Sequence, residues 1–399
     1  MSNKFIISEK SPITTFLRDL RILLILTLPQ MKHIVEFIAS ASQGYFDGKV
    51  VDIEKLSPTH RTCIGKFLSK STWDEDLLLK VMQKYALKRM WAYSIATGKP
   101  IYMIVDDTIS KKTKPSSKAK RPIEKCKFHY SHLEGKQVYG HQVVGIILKC
   151  GDLVLPYSVT LYEKECMSKI EMTINAILSL PKAPNKGYVM ADSWYSCKKI
   201  IVASLSKGFH YIGALKTNRV IYPENSRLSM QVKGYGKTLK KEDVNLVKVD
   251  DSSYWIYRYE GKLNGIEKAV VLLSWPEDAL FTEGALKVFI CTEMDPDTQS
   301  ILIHYSKRWP IEIFFRQNKM ELGLDRYQIR SAKAIKRFWI LTMLTYFYCV
   351  TGTSESFCPF GKGLKLANNE VNRNIYTWIY EQSEAGVPIN QVFEALKVA

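Results

Sequence analysis

Between Gly98 and Lys216, short apolar runs rich in β-branched and aromatic residues alternate with stretches of helical period. "KPIYMIV" reads as a buried strand, and "YGHQVVGIILKCGDLVLPYSVTLY" as a hairpin turning at Cys150-Gly151-Asp152. "KECMSKIEMTINAILSL" is an amphipathic helix and "KGYVMA" a further buried strand. "SCKKIIVASLSKG" is a helix closed by Gly208, and "FHYIGALK" is a strand again. The order strand, hairpin, helix, strand, helix, strand predicts a mixed α/β core with helices laid against a sheet.

The flanking texture differs. Residues 1–95 read as helical: "SPITTFLRDLRILLILTLPQ" opens on a Ser-Pro cap signal. "STWDEDLLLKVMQKYALKRMWAYSIATG" has Ser71 or Thr72 as its N-cap, acids in the first turn and Gly98 past its end. Residues 217–295 read as strand after strand with no helix, with turn signals at Asp250-Asp251 and Asn264-Gly265. Residues 296–399 return to helix. The predicted organisation is a helical unit at 1–95 and an α/β core at 96–216 and 296–399, interrupted by a β-rich insertion at 217–295.

Two of the core strands end in a carboxylate. Asp106 follows "IYMIV" and Asp192 follows "GYVMA". Strand ends of an α/β sheet are where sites form, because the rigid strand aims the side chain and the loop beyond leaves room. Taken alone, Asp192 before "SWYSCKK" would also serve as a helix N-cap, and Asp106 or Asp107 could merely pair with a lysine. A third acid, Glu312, lies in "YSKRWPIEIFFRQNK" with Tyr305, Arg308 and Lys319. On one continuous helix with Arg308 at zero, Tyr305 falls at roughly 60°, Glu312 at roughly 40° and Lys319 at roughly 20°, a single polar face. Two carboxylates from neighbouring strands and a third from a helix can hold two divalent cations about 4 Å apart for in-line displacement at phosphorus.

Charge supports a polyanionic partner: 57 Lys+Arg stand against 39 Asp+Glu, a formal +18. Eight basic residues and one acid occupy "KKTKPSSKAKRPIEKCK" (111–127), read as a loop that closes over phosphates. Nine more basic residues between Lys307 and Arg337 predict a continued DNA-facing surface, with Arg316 as a further phosphate contact. No membrane span is expected: Arg21 and Pro29 interrupt "RILLILTLP", and the apolar run from Phe338 to Val350 is shorter than the roughly 20 residues required. The N-terminus does not read as a signal peptide, and eight scattered cysteines without a CxxC pair suit a reducing cytoplasm. Cys126, His129 and His132 have near-ligand spacing for zinc but lack a second spaced pair, so a basic loop is the preferred reading. His129, His132 and His141 are read as phosphate or structural contacts.

Together, "VDDT", "VMADSWY" and "YSKRWPIEIFFRQNK" resemble the IS4-like group of DDE transposases of bacterial insertion sequences. That group carries Tyr, two residues, Arg, three residues, Glu, six residues, Lys, and Tyr305, Arg308, Glu312 and Lys319 fit without a gap. The resemblance covers about 96–345. It implies a ribonuclease-H-like core with a β-rich insertion before the helix carrying the last acid, and a helical N-terminal domain that binds the element's end. It implies that Asp106, Asp192 and Glu312 bind two Mg2+ ions, for which Mn2+ substitutes. Arg308, Tyr305 and Lys319 would hold phosphates around the cleaved strand. The family pattern Asp, any residue, Thr selects Asp106, with Asp107 as the alternative. The implied partners are the element's terminal repeats and target DNA, with a homodimer assembled on paired ends. Trp194 and Trp255 are candidates for stacking on an unpaired base, against the alternative of core packing. Two rivals remain at this stage: a nuclease of the same fold without strand transfer, and a DNA-binding derivative that has lost catalysis.

Overall fold

The computed structural model describes residues 11–396 apart from 58, 119–120, 132–133, 224–227 and 264. His132 and Asn264, both invoked above, lie outside the described residues. The chain opens with helices α1 (Pro12–Asp19), α2 (Leu28–Ala41), α3 (Val50–Glu54), α4 (Arg61–Ser69) and α5 (Glu75–Thr97). The α5 N-cap is Asp74, not Ser71 or Thr72; its carboxylate accepts the N–H groups of Asp76 and Leu77. Gly98 closes α5 at φ 68°, a left-handed position that costs glycine no Cβ clash.

The core follows in chain order: β1 (Ile101–Lys111), β2 (Lys127–Ser131), β3 (Lys136–Cys150), β4 (Leu153–Leu161), α6 (Lys169–Ser179), β5 (Gly187–Ala191), α7 (Lys198–Ser206) and β6 (His210–Ala214). A reciprocal cap between Ser168 and Glu171 starts α6. Next come β7 (Val220–Ile221), β8 (Met230–Gln231), α8 (Val232–Gly236), β9 (Asn245–Val249), β10 (Ser252–Leu263), β11 (Ile266–Pro276) and β12 (Lys287–Cys291). The expectation of no helix in this stretch therefore fails at the single turn of α8. The chain ends with α9 (Thr298–Ser306), α10 (Pro310–Met320), α11 (Ala332–Phe347), α12 (Phe360–Glu384) and α13 (Ile389–Leu396).

All these strands join one mixed sheet, ordered β2-β3-β1-β5-β6-β12-β11-β10-β7-β8, with β4 beside β3 and β9 beside β10. β1 runs parallel to β5, β5 parallel to β6, and β3 antiparallel to β1. Through the β12–β6 pairing the β-rich stretch continues the core sheet instead of standing apart from it. The first five residues of β1 and all of β5 are buried, as expected of central strands covered on both faces. One continuous apolar core runs from Ile13 to Val371, so the N-terminal helices share it with the sheet. No helix among the described residues is long and apolar enough to cross a membrane.

Candidate active site

The register of β1 on β5 sets the first two acids. Ile104 is paired with Met190 at the last rung, and Asp106 and Asp192 each stand two residues further on, on the same face. Burial is the main force pushing the Asp106 carboxyl up to about 6; Arg308 opposes it, and the charges of Asp192 and Asp107 add to it. Asp192 combines both roles weighed for it. It ends its strand, and its Oδ1 accepts the N–H groups of Trp194 at 2.9 Å and Tyr195 at 3.2 Å.

The third motif does not form one helix. Pro310 has no N–H to continue α9, so the chain turns through 307–309 and α10 begins at Pro310. Tyr305 belongs to α9 and Arg308 to the turn, which corrects the single-face expectation. The side chains still converge. The Arg308 guanidinium donates to Asp106 Oδ2 at 3.0 Å and to Glu312 Oε1, and it hydrogen-bonds the Tyr305 phenol. Lys319, about two turns further along α10 on the same face as Glu312, donates to Thr108 Oγ1 at 2.7 Å and to the Ile109 carbonyl. Burial lowers its pKa from the usual lysine value.

Asp107 points to the opposite face of β1 and is engaged there. Its carboxylate accepts from Lys169 Nζ at 2.9 Å, the Tyr195 hydroxyl at 3.0 Å and Gln142 Nε2 at 2.5 Å. Burial first, then the Asp107 charge, drives the Tyr195 phenol well above its ordinary pKa, so it remains a donor. Lys169 also lies 4.1 Å over the Trp194 ring. Sequence reasoning passed over Lys169, Tyr195 and Gln142, because their partnership joins residues far apart in the chain.

Gly145 was also missed. It is paired with Asp106, and a Cβ there would stand 2.4 Å from Cζ of Phe315 on α10. The bare glycine lets the helix carrying Glu312 approach the strand beside Asp106. A glycine inside the apolar run "VVGII" was the available signal. Gly145→Ala is expected to displace α10 and slow DNA cleavage by about a hundred-fold, with DNA affinity held. Single-turnover cleavage beside a binding titration checks this; an unchanged rate would remove Gly145 from the site's support.

The remaining predicted residues divide. Arg316 is exposed on α10 and Trp194 is 39% exposed beside Asp192. Trp255 is half-buried on β10 and donates to the Glu277 carbonyl. Trp309, unremarked in the sequence, is 56% exposed next to Arg308. His141 is buried between the Tyr327 hydroxyl and the Glu124 carbonyl, a structural role. His129 is half-buried near Gln142. The continuous basic surface over 307–337 needs correcting: Arg337 is fully buried, while Arg326 and Lys336 pair with Asp47 and Asp76. In the basic loop, Lys112 is drawn inward, donating to the carbonyls of Asp325 and Tyr327, and burial takes its pKa down to about 8.

Among the described residues no three His, Cys, Asp or Glu side chains are grouped tightly enough to hold a metal ion. That includes Cys126 and His129, and it includes the three acids, since Arg308 stands between Asp106 and Glu312. The donor set nevertheless suits a hard divalent cation: oxygen-only, buried enough to raise Asp106, and neutralised here by a side-chain cation.

Residues 97–348, well over half of the chain, match the family described as transposase DDE domain. The comparison with curated proteins gives no match. Among solved structures, the chain is similar to the piggyBac transposase in its synaptic complex with hairpin DNA. The TM-score is 0.50 at 10% identity, over 93% of this chain and 76% of that one. At that identity the likeness speaks to the fold, a mixed α/β architecture of the ribonuclease-H-like DDE kind.

Proposed function

This chain belongs to the family of DDE-domain transposases, enzymes that cleave DNA and transfer its strands, and we propose that it mobilises a bacterial insertion sequence of the IS4-like group. In this reading Asp106, Asp192 and Glu312 are the catalytic acids and the ligands of divalent cations, Mg2+ or Mn2+. Bound there, such ions would activate the attacking oxygen and stabilise the leaving one. The observation that carries the reading is the Arg308 bridge, a cation already placed between Asp106 and Glu312 at the sheet end that bears Asp192.

Arg308 has a second task. Its planar fork suits a bidentate phosphate contact, so an arriving DNA strand draws it away from the acids and frees their oxygens. Tyr305 keeps hold of the guanidinium as it turns. Lys319 and Arg316 supply point charges along the same strand. The N-terminal helices, 1–95, would hold the element's terminal repeat, 96–216 and 296–399 the chemistry, and 217–295 the strand leaving it. The working unit would be a homodimer on paired ends.

Excision from a plasmid carrying the gene with its native flanks tests the assignment. Wild type is expected to release the segment, and Glu312→Ala to lose release while still binding the flanks. Excision by both would remove Glu312 from the chemistry. A second expectation concerns Arg308: without DNA, Arg308→Ala should bind Mn2+ about ten-fold more tightly than wild type, because one charge-assisted competitor is gone. Electron paramagnetic resonance of free Mn2+ reads this, and unchanged affinity would contradict the bridge's role.

A further inference from the structure

Tyr102 and Tyr188 precede Asp106 and Asp192 on β1 and β5, and the parallel register pairs them. By the strand period they share a face of the sheet with the two acids. Their rings stack with centroids 5.4 Å apart. The His304 ring of α9 lies against both, 4.8 Å from Tyr188 and 5.9 Å from Tyr102. The Tyr102 hydroxyl and His304 Nδ1 are 2.7 Å apart. One side chain thus ties α9 to the two strands that aim the acids. The next residue on α9 is Tyr305, whose ring lies 4.7 Å from Phe289 on β12 and whose hydroxyl meets Arg308.

Tyr102 is buried, and burial raises its phenol above the ordinary tyrosine value, so the O–H is there to donate. Among the described residues, His304 is the hydroxyl's one partner. With that O–H as donor, Nδ1 is the bare nitrogen of a neutral imidazole. Burial lowers the His304 pKa; Glu293 opposes the shift, and Lys186 and Lys307 add to it. The buried Glu293 carboxylate is already engaged, accepting from the Tyr188 hydroxyl and from Lys186 Nζ. On β6, His210 lies against the other side of that network, its ring centroid 6.0 Å from Tyr188 and its charge felt at Glu293. β9 meets α9 through backbone, the Lys248 carbonyl accepting from Gln299. Because the native pKa lies below the unfolded value of about 6.5, the stability this neutral histidine contributes is complete above that pH. It is lost as pH falls from there through the native value. A proton on Nδ1 sets two donors against each other and leaves a buried hydroxyl without its acceptor.

We propose that His304 is a positioning residue for DNA cleavage, which rests on the functional reading above. Neutral, it holds α9 against β1 and β5, so that Tyr305 keeps Arg308 level with the acids. Protonated, it releases α9, and cleavage falls although no acid or phosphate contact has itself been changed. The histidine acts through Tyr305 and touches neither DNA nor metal.

The test is single-turnover cleavage of the native flanks from about pH 8 to about pH 5, beside a DNA-binding titration. His304→Asn sets an acceptor where Nδ1 stands and takes no proton; His304→Leu offers neither. At about pH 8, His304→Leu is expected to slow cleavage about thirty-fold with DNA affinity held, and His304→Asn to recover all but about three-fold. Below about pH 6 the logarithm of the wild-type rate should fall with a slope of about two, one proton going to Asp106 and one to His304; for His304→Asn the slope should be about one. If a urea titration shows His304→Leu to be unfolded, the slope of His304→Asn decides alone. A folded His304→Leu as fast as wild type, or His304→Asn with the wild-type slope, overturns the proposal. The contact is also read without DNA, by NMR. The His304 imidazole should titrate below the ordinary histidine value and move toward it in Tyr102→Phe, which keeps the ring and removes the donor. An imidazole unmoved by Tyr102→Phe overturns the proposal as well. No cleavage by wild type at any pH, with the imidazole moving as expected, sinks the functional reading and the positioning role with it, while the contact stands.

Discussion

Asp106→Asn is expected to lower DNA strand cleavage by about a thousand-fold or more while DNA binding stays near wild type. Asn keeps the shape but cannot carry the charge that a divalent cation and Arg308 both need. The neighbouring change should behave differently. Asp107→Asn leaves Lys169, itself only 8% exposed, without its carboxylate and weakens the bond from the Tyr195 hydroxyl. Removing one partner of a buried pair costs about 3–5 kcal/mol. The expected loss is therefore in stability, with cleavage per folded molecule kept within about ten-fold. The comparison is sharp because the residues are adjacent and identical in type. Opposite faces of β1 send one to Arg308 and the other to Lys169. Single-turnover cleavage by both variants, corrected for the folded fraction from a urea titration, decides it. Cleavage lost in Asp107→Asn and kept in Asp106→Asn would reverse the assignment and with it the role given to the Arg308 bridge.

What could be read in the sequence and what could not follows a physical line. Asp106 and Asp192 were legible as acids that follow a short buried run, but only Asp192 stands past the end of its strand; β1 continues beyond Asp106 to Lys111, and the parallel register with β5 brings the two acids to one level. The spacing of Tyr305, Arg308, Glu312 and Lys319 was legible as a motif, but its geometry was not. Pro310 divides it between two helices, and convergence depends on how both pack on β1. The choice between Asp106 and Asp107 stayed open, because both lie inside the same strand after the same buried run and only their partners on opposite faces differ. The basic surface was misjudged for a related reason. Charge counts treat every Lys and Arg as solvated, yet Lys112 and Arg337 turn inward to meet backbone carbonyls. Nothing local distinguishes a lysine that awaits phosphate from one that completes a loop.

Arg337 gives the second large effect. It is 0% exposed, and its guanidinium donates to the carbonyls of Phe67, Leu68, Ser71 and Trp73 and to Glu75 Oε2. Phe67 and Leu68 lie in the last turn of α4, where carbonyls have no intrahelical donor and the dipole is negative. Its plane also lies 4.3 Å over the Trp73 ring. One side chain on α11 thus closes the end of α4 and fixes the start of α5, tying the N-terminal helices to the catalytic core. Arg337→Met preserves much of the apolar stem but strands those carbonyls and leaves Glu75 uncompensated. A loss of about 3–5 kcal/mol is expected, read as a lower urea midpoint. Arg337→Lys should recover little, since a single ammonium cannot reach a set of acceptors that the guanidinium fork spans. Adding Glu75→Gln to Arg337→Met should recover part of the loss, because the stranded carboxylate is then neutral. A loss below about 1 kcal/mol for Arg337→Met would mean that water replaces the guanidinium at this seam, and that the helices are held by their apolar contacts alone.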